Sequence, residues 1–368
     1  MASIWQHRIA ISLFGEAEGP AIGVVLDHLP PGEYIALDQL AQFMRRRSRP
    51  IPVEGENPLL PSPADVPQIL SGLVQNRTTG SPLCAFLNNP KTVAQADYQT
   101  MSRIARPGHA DYTGAMRYRG FADVRSGGHL SERMTIPLCF AGAVCQQILE
   151  RRGIYVGAHI AAIHNIKDKP LSPTHVTKED ILQIRNKPFA VQDDRAGKRM
   201  LRDIRNAADG GETLGGVIAC YAVGVPAGVG SPIFDGIENT IAQLTFGIPG
   251  VRGVEFGAGF ESAKMTGSQH NDPFYVDERG HVLTRSNHHG GVLGGISSGM
   301  PISFRVAIKP AATIAQPQET VDYSAMTNEV LQSAENSKPC LVPEALPAIE
   351  AAACIALVSH LLDYPNFV

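Results

Sequence analysis

Four glycine-rich stretches of the sequence carry residue types that can do chemistry. Each sets His, Ser, Arg or a carboxylate beside glycines, which let a ligand approach the backbone so that exposed N–H groups can hold an anion. The first stretch also brings two carboxylates, Glu16 and Glu18, close to the start of the chain. The stretches are FGEAEG (14–19), RPGHADYTG (106–114), RSGGHLSER (125–133) and SNHHGGVLGGISSG (286–299).

Basic side chains in or beside these stretches favour a ligand that carries phosphate or carboxylate groups. Guanidinium groups bind both kinds of anion in a fork geometry. For Arg45–Arg47 a solvated helix end is an equally good interpretation. The basic residues are Arg45, Arg46, Arg47, Arg49, Arg106, Arg125, Arg133 and Lys309.

Several standard motifs are missing from the sequence. The run GGVLGGISSG is neither the GxGxxG of a dinucleotide site nor the GxxxxGK[ST] of a P-loop, and the sequence shows no strand–turn–helix nucleophile elbow for a serine. His288 and His289 are adjacent, so their side chains need not converge on a metal ion. We therefore expect no metal site.

The composition is that of an ordinary globular protein. Hydrophobic residues make up 43% of the 368 positions, and the net charge of −3 gives no reason to expect nucleic acid as a partner. The six cysteines form no CxxC pair, which indicates reduced thiols. The N-terminus lacks a signal-peptide pattern, and no apolar stretch reaches the roughly 18–20 uncharged residues of a membrane helix. We expect a cytoplasmic protein without membrane contact.

Two apolar helices are expected in the core. Residues 135–152 and the C-terminal helix that starts at Pro347 are apolar on most of their surface. Runs rich in β-formers and bounded by Gly or Pro cover 215–228, 253–259 and 303–310. The elements do not alternate as regular βαβ units, so the pattern favours an α+β fold with helices between sheets over a doubly wound parallel sheet.

The whole chain, 1–368, is expected to form one domain, with pseudo-duplicated halves as an open alternative. Residues 48–68 contain six prolines, a composition typical of a surface loop or lid. Residues 165–200 are polar around a helical centre and predict an exposed excursion. A helix over 235–248 is expected to begin with Asp235 as its N-cap.

Taken together, the four stretches resemble the chorismate synthase family along nearly the whole chain. The family patterns FGESHG, RPGHADYT, GGGH or GGGR followed by Ser and Arg, and SNHxGGILGGISSG occur here in the same order and at fitting spacing. The run AIKPAAT (307–313) matches the family's KP segment. The resemblance implies a β–α–β sandwich, with helices buried between antiparallel sheets, and a homotetramer.

The resemblance also implies a lyase of the shikimate pathway, which serves aromatic amino acid biosynthesis. The family converts 5-enolpyruvylshikimate 3-phosphate to chorismate by an anti-1,4-elimination of phosphate and requires reduced FMN without net redox change. Whether NADPH serves as the reductant of the flavin stays open. The arginines suit a small-molecule substrate with phosphate and carboxylate groups, and the glycine loops with Ser or Thr donors suit the flavin.

Roles carry over from the family residue by residue. His109 matches a histidine that acts in acid–base chemistry near flavin and substrate. Arg106 and Arg133 match substrate-binding arginines, and Ser131 matches a hydroxyl near both ligands. The positions that the resemblance places at the flavin are Arg47, His129, Leu130, Ser131, Gly250, Gly294, Lys309, Pro310, Ala311, Ala312, Thr313 and Asn336.

The chain departs from the family pattern at several site positions. Glu18 stands where the family has its second catalytic histidine, and Lys338 where it has an aspartate thought to act as a base. Glu132 replaces a small residue and Glu344 replaces an arginine. A glutamate can carry protons, but its charge repels a polyanionic substrate. We assign catalytic roles to Glu18 and Lys338 on the hypothesis that the two form an ion pair.

Two functions remain after these departures. The first is chorismate synthase activity carried mainly by His109 and the flavin loops. The alternative is a catalytically impaired paralogue that keeps the fold and flavin binding and acts as a binding or assembly partner. A flavin reductase ranks last, because the sequence carries no nicotinamide fingerprint.

Overall fold

The computed structural model describes residues 3–48, 66–89, 102–332 and 338–364. Nearly all of the proline-rich segment 48–68 lies outside the described residues, and so does Asn336. The predictions made for these two parts of the chain therefore stay predictions.

The strands of the described residues form two antiparallel five-stranded sheets and four short hairpins. The first sheet has the order β1-β2-β3-β7-β4 and the second has the order β11-β16-β10-β8-β9. The strands are β1 (Ile4–Gln6), β2 (Ala10–Gly15), β3 (Ala21–Asp27), β4 (Gln68–Ser71), β5 (Leu73–Val74), β6 (Arg77–Thr78), β7 (Leu83–Asn88), β8 (Tyr155–Ile163), β9 (Ile166–Lys167), β10 (Gly216–Val223), β11 (Val251–Phe256), β12 (Phe274–Val276), β13 (Val282–Thr284), β14 (Val292–Leu293), β15 (Ile296–Ser297), β16 (Ile302–Ile308), β17 (Gln318–Asp322) and β18 (Thr327–Leu331).

The helices of the same residues are mostly short, and two of them are long and buried. Three turns of 3₁₀-helix cover Arg125–Leu130, Glu132–Met134 and Gly259–Lys264. The α-helices are α1 (Leu37–Ser48), α2 (Asp111–Tyr118), α3 (Thr135–Glu150), α4 (Lys178–Arg185), α5 (Asp194–Asp209), α6 (Ile237–Phe246), α7 (Gly267–His270) and α8 (Val342–Leu361).

The two long helices α3 and α8 form the middle layer of a sandwich. They pack on each other, with α3 against β2, β3 and β7 of the first sheet and α8 against β8 and β10 of the second. Both helices are buried along almost their whole length, which explains why they are apolar all round. The expected α+β layering, with helices between antiparallel sheets, is confirmed.

The helix boundaries differ from the predicted ones in informative ways. Helix α8 begins at Val342, five residues before Pro347, and Pro343 occupies its first turn, where proline is tolerated. Helix α6 has Gly236 as its N-cap, because Asp235 instead lies 3.0 Å from the His7 ring. The Asp235 N-cap prediction was therefore wrong.

The segment 165–200 packs as an outer layer instead of projecting as a purely polar excursion. Ile181 of α4 is fully buried against β8, where Gly157 leaves room for its side chain. Helix α5 lies against β9 and buries Met200 and Ile204 while its polar face stays exposed.

Among the described residues, α8 is the one helix long and apolar enough to cross a membrane by length and composition. Of its most apolar 18-residue window, 94% is buried inside the protein. Its apolar surface is therefore accounted for by the packing of α3, α1, α6 and the second sheet.

Candidate active site

The first glycine-rich loop packs on the third. The Ala17 N–H donates to the Gly128 carbonyl at 3.1 Å, and the Ser126 hydroxyl donates to the Glu18 carboxylate at 2.7 Å. Gly128 is required here, because a Cβ at this position would lie 1.9 Å from the Asp123 carbonyl oxygen. Glu18 is therefore held by the 125–130 turn.

His129 is fixed between Gly15, the last residue of β2, and Ser3, the residue before β1. Its Nδ1 lies 2.7 Å from the Gly15 carbonyl, which can only accept, so Nδ1 carries the proton. Its Nε2 then accepts from the Ser3 hydroxyl at 2.5 Å. Both ring nitrogens are thus used inside the chain, and the ring face and backbone of His129 are what it can offer a flavin.

The second loop is built on an ion pair. The Arg106 guanidinium binds Asp111 in a fork, with distances of 2.7 Å from Nε to Oδ2 and 2.9 Å from Nη2 to Oδ1. The Arg106 N–H also donates to Oδ2. Asp111 is the first residue of α2 and is buried, so the ion pair sets the direction in which the preceding loop enters the helix.

His109 projects from this loop with a defined tautomer. Its Nδ1 lies 3.2 Å from the Pro107 carbonyl and its Nε2 lies 3.2 Å from the Thr313 hydroxyl. A carbonyl accepts only, so the proton sits on Nδ1 and Nε2 presents a lone pair. Burial lowers the pKa of His109, and the positive charge of Arg106 lowers it further against the opposing effect of Asp111. The imidazole is neutral near pH 7.

The segment 309–313 lies against the His109 loop. Lys309 Nζ donates to the Gly108 carbonyl at 2.5 Å, and a Cβ on Gly108 would lie only 2.8 Å from Ala312 Cβ. Burial, together with Arg252, lowers the pKa of Lys309. Within the described residues, no carboxylate pairs with this ammonium, and nothing accepts from the backbone N–H groups of 311–313. These donors suit an anionic or carbonyl-rich ligand.

Gly250, another predicted residue, borders this segment, and so do Thr213 and Pro339. The Lys309 N–H donates to the Gly250 carbonyl at 2.9 Å. Leu214, next to Thr213, donates to the Pro339 carbonyl at 2.8 Å, while the Thr213 hydroxyl donates to the Ala311 carbonyl at 2.6 Å. Residues from 213, 250, 309–313 and 339 therefore meet at one end of the second sheet.

Ser131 and Arg133 lie on a short turn beside the first loop. The Ser131 hydroxyl accepts from the Arg133 N–H at 3.4 Å and caps the 3₁₀-turn Glu132–Met134. Arg133 Nε donates to the Asn89 side chain at 2.6 Å, and Asn89 in turn donates to the carbonyls of Glu16 and Gly19. Asn89 thus couples Arg133 to the loop that carries Glu18.

The two halves of the site are joined by α2. A Cβ on Gly114 would lie 3.1 Å from the Leu130 side chain, so the helix that follows His109 packs against the turn that carries Leu130 and Ser131. The structure therefore brings the second and third glycine-rich stretches together.

Arg47 and Lys338 meet two carboxylates of their own chain. Arg47 lies 3.2 Å from Glu344, and Lys338 lies 2.9 Å from the same carboxylate and also contacts Glu132. The hypothesis that Lys338 pairs with Glu18 was wrong. Lys338 is held on the α8 side of the Glu132 turn, whereas Glu18 bonds to Ser126.

Gly294 is a predicted site residue that the structure does not place near the others. Its hairpin, β14–β15, packs at the start of α6, where the Ile237 N–H donates to the Gly295 carbonyl at 3.0 Å. Gly250 follows the far end of the same helix. Gly294 and Lys309 also lie at opposite ends of the second sheet, since β10 pairs with Ile308 at Gly216 and with Ile302 at Ala222.

His288 and His289 both turn to one carboxylate. His288 Nδ1 lies 3.0 Å and His289 Nε2 lies 3.6 Å from Asp272, which also accepts from both backbone N–H groups. No group of three or more His, Cys, Asp or Glu side chains within the described residues is placed to hold a metal ion. The pair fixes the 286–291 loop.

Sequence reasoning missed three residues of the site, Asn89, Asp111 and Thr135. Asp111 stood five residues after Arg106 in RPGHAD, so a local ion pair was available as a signal. Asn89 bonds to Arg133, 44 positions away, and Thr135 bonds to Arg47, 88 positions away. A single sequence contains no local pattern that predicts such partners.

The fold and loops together define an α+β sandwich enzyme that sets a neutral imidazole beside donors for an anionic ligand. The family model described as chorismate synthase matches residues 9–362. Chorismate synthase of Thermococcus kodakarensis is 38% identical over 354 residues, which are 96% of both chains. Chorismate synthase of Dehalococcoides mccartyi is 40% identical over 348 residues, 94% of this chain and 93% of the relative.

A solved structure extends this likeness to three dimensions. The crystal structure of chorismate synthase matches with a TM-score of 0.75 and 26% identity, covering 98% of this chain and 94% of that chain. The chain belongs to the chorismate synthase family. Membership confirms the lyase function in aromatic amino acid biosynthesis that the sequence motifs implied.

Proposed function

We propose that this protein converts 5-enolpyruvylshikimate 3-phosphate to chorismate by an anti-1,4-elimination, with reduced FMN and without net redox change. One C–H bond and one C–O bond break, the existing ring double bond shifts by one position while a second one forms, phosphate leaves with the C–O electron pair, and the hydrogen leaves as a proton. The observation that carries the proposal is the family match over 9–362, joined to a neutral His109 beside Lys309 and Thr313.

The residues present fit a reduced flavin. Lys309 and the backbone N–H groups of 311–313 are donors for its phosphate or ring carbonyls, while the Thr313 hydroxyl donates to His109 Nε2. The Ser131 hydroxyl and the Leu130 side chain lie on the neighbouring turn. When bound, reduced FMN supplies electron density that assists departure of the phosphate and is recovered when the ring hydrogen is lost.

His109 is the proton carrier that we propose for this site. Its neutral ring presents Nε2 as an acceptor, and a group of this kind typically contributes about 10²–10⁴-fold to a rate. Arg106 and Arg133 bind the substrate anions in this proposal, with Arg106 oriented by Asp111 and Arg133 by Asn89.

We still propose that Glu18 handles protons, although it does not pair with Lys338. The support is now its position: the Ser126 hydroxyl holds its carboxylate at 2.7 Å, on the loop that Asn89 couples to Arg133. We withdraw the catalytic role of Lys338, because its ammonium faces Glu132 and Glu344.

We also propose a cytoplasmic homotetramer. Ile233 and Phe234 are 74% and 91% exposed, and adjacent exposed apolar side chains are typical of a contact surface. All six cysteines are free, as expected in a reducing compartment. Light scattering on the purified protein tests the subunit number, and a single-subunit mass would contradict the tetramer.

An anaerobic assay with chemically reduced FMN and 5-enolpyruvylshikimate 3-phosphate tests the reaction. We expect chorismate and phosphate in equal amounts, no product with oxidised FMN, and no net consumption of reduced flavin. NADPH with oxidised FMN, assayed separately, shows whether the chain reduces its own flavin. Flavin binding without product would contradict the proposal and favour the impaired paralogue.

A further inference from the structure

We propose that Arg47, Glu132, Lys338 and Glu344 form a charge clamp that positions Ser131 and Arg133 for flavin and substrate. The inference rests on the proposed function, which assigns ligands to those two residues. It makes Glu132, Lys338 and Glu344 positioning residues, and it gives a purpose to three of the positions at which this chain departs from the family pattern.

Arg47 forms one side of the charge clamp. Its guanidinium donates to the Thr135 hydroxyl at 2.7 Å, to the Glu132 carbonyl at 3.1 Å and to the Glu344 carboxylate at 3.2 Å. The Arg47 and Glu344 side chains are only 7% and 15% exposed. Removing one partner would leave a poorly solvated charge alone, which is the costly way to break a pair.

Lys338 forms the other side. Its ammonium donates to the Glu132 carboxylate and, at 2.9 Å, to Glu344 Oε2. Two of its three N–H donors therefore point to its own chain and not to a ligand. The two cations and two carboxylates sum to no net charge, so the clamp does not need a substrate anion to balance it.

The charge clamp holds the turn that carries Ser131 and Arg133 in place. Glu132, the residue between them, is held by its side chain through Lys338 and by its carbonyl through Arg47 and Thr135. The clamp thereby ties the end of α1 and the start of α8 to this turn. A shift of about 1 Å in such a turn is enough to cost about 10²-fold in rate.

A double-mutant cycle tests the clamp. Glu132→Gln and Lys338→Met are made singly and together, and KM, kcat, reduced-FMN affinity and Tm are measured. We expect each single variant to raise KM about tenfold, to weaken FMN binding and to lower Tm by about 2–4 °C. We expect the double variant to lose clearly less than the sum of the two.

The exposed pair Glu261 and Lys264, 2.8 Å apart, is the matched control, and its Glu261→Gln and Lys264→Met variants should change nothing measurable. Additive effects of Glu132→Gln and Lys338→Met on Tm would overturn the clamp. Non-additive effects on Tm together with an unchanged KM and FMN affinity would overturn its positioning role. A wild-type protein that makes no chorismate would refute the proposed function. The double-mutant cycles measured on Tm and on FMN affinity would then still test the clamp.

Discussion

At the scale of single residues, the site is defined by how its charges are used. Arg106 faces Asp111, Arg47 faces Glu344, and Lys338 faces Glu132 and Glu344. Lys309 contacts a carbonyl instead and keeps its charge for a ligand. The sequence alone presented Arg47, Arg106 and Lys309 as candidate anion binders, and only the structure shows which of them already pair with a carboxylate of the chain.

His109→Asn gives the sharpest test of a single residue. We expect kcat to fall at least about 100-fold with a smaller change in KM, because the variant keeps a polar side chain but cannot carry the proton. The pKa of His109 is lowered, so wild-type activity should fall on acidification only below about pH 6.5. The pH profile of kcat should lose this acid limb in the variant.

His28→Asn is the control for that experiment. His28 is exposed and follows β3 at the end opposite to Asn89, so its loss should leave kcat and the acid limb unchanged. A full acid limb in His109→Asn would show that another group carries the proton.

At the scale of elements, the crossing of α3 and α8 decides the fold. Gly142 lies where the helices approach most closely, since a Cβ there would lie 2.1 Å from Ala351 Cβ. The absence of a side chain at this position lets the middle layer be thin enough for both sheets to cover it. Glycine is unfavourable inside a helix by about 1 kcal/mol, so packing outweighs propensity here.

Gly142→Ala should therefore destabilise the protein in spite of its better helix propensity. We expect a loss of about 2 kcal/mol in the free energy of unfolding, because overpacking costs about 1–3 kcal/mol and the two helix backbones lie close together at the crossing. Urea denaturation measures it. Gly267→Ala, with open space around its Cβ, is the control and should be neutral. An unchanged midpoint in Gly142→Ala would mean that the helices can separate freely.

At the scale of the whole molecule, a buried polar network ties the N-terminal hairpin to the middle layer. His7 bonds to Ser359 at 2.7 Å, and Ser359 also accepts from the backbone of Arg8 and Ile9. The next residue, His360, lies 2.7 Å from Thr240 of α6. Residues from both ends of the chain therefore close the same end of the sandwich.

This network predicts an acid sensitivity. Burial, with a smaller effect of His7, lowers the pKa of His360 to about 4. Between pH 6.5 and 4 the unfolded chain binds a proton that the folded chain excludes, so stability is lost as the pH falls. The difference corresponds to about 3 kcal/mol. We expect His360→Gln, which does not titrate, to flatten the decline in unfolding free energy between pH 7 and 5.

Chemical denaturation at the two pH values measures this decline. His281→Gln, an exposed histidine paired with Asp277, is the control and should follow the wild type. Equal slopes for wild type and His360→Gln would assign the acid sensitivity to other groups.

The sequence by itself determined the family, the layering and the loops of the candidate site. Motif order identified the loops, and helices that are apolar all round could only lie between two other layers. His109 and Lys309 to Thr313 were recognisable because they stand in RPGHADYT and AIKPAAT, two runs that resemble motifs of the family.

Only the tertiary structure decided which charges pair and which loops meet. Lys338 lies 206 positions from Glu132, and nothing local chose that carboxylate over Glu18. Gly294 belongs to a motif that matches the family, yet the length of β10 and α6 separates it from Gly250 and Lys309. Local sequence fixes the period and burial of an element, whereas long-range contacts depend on how all elements pack together.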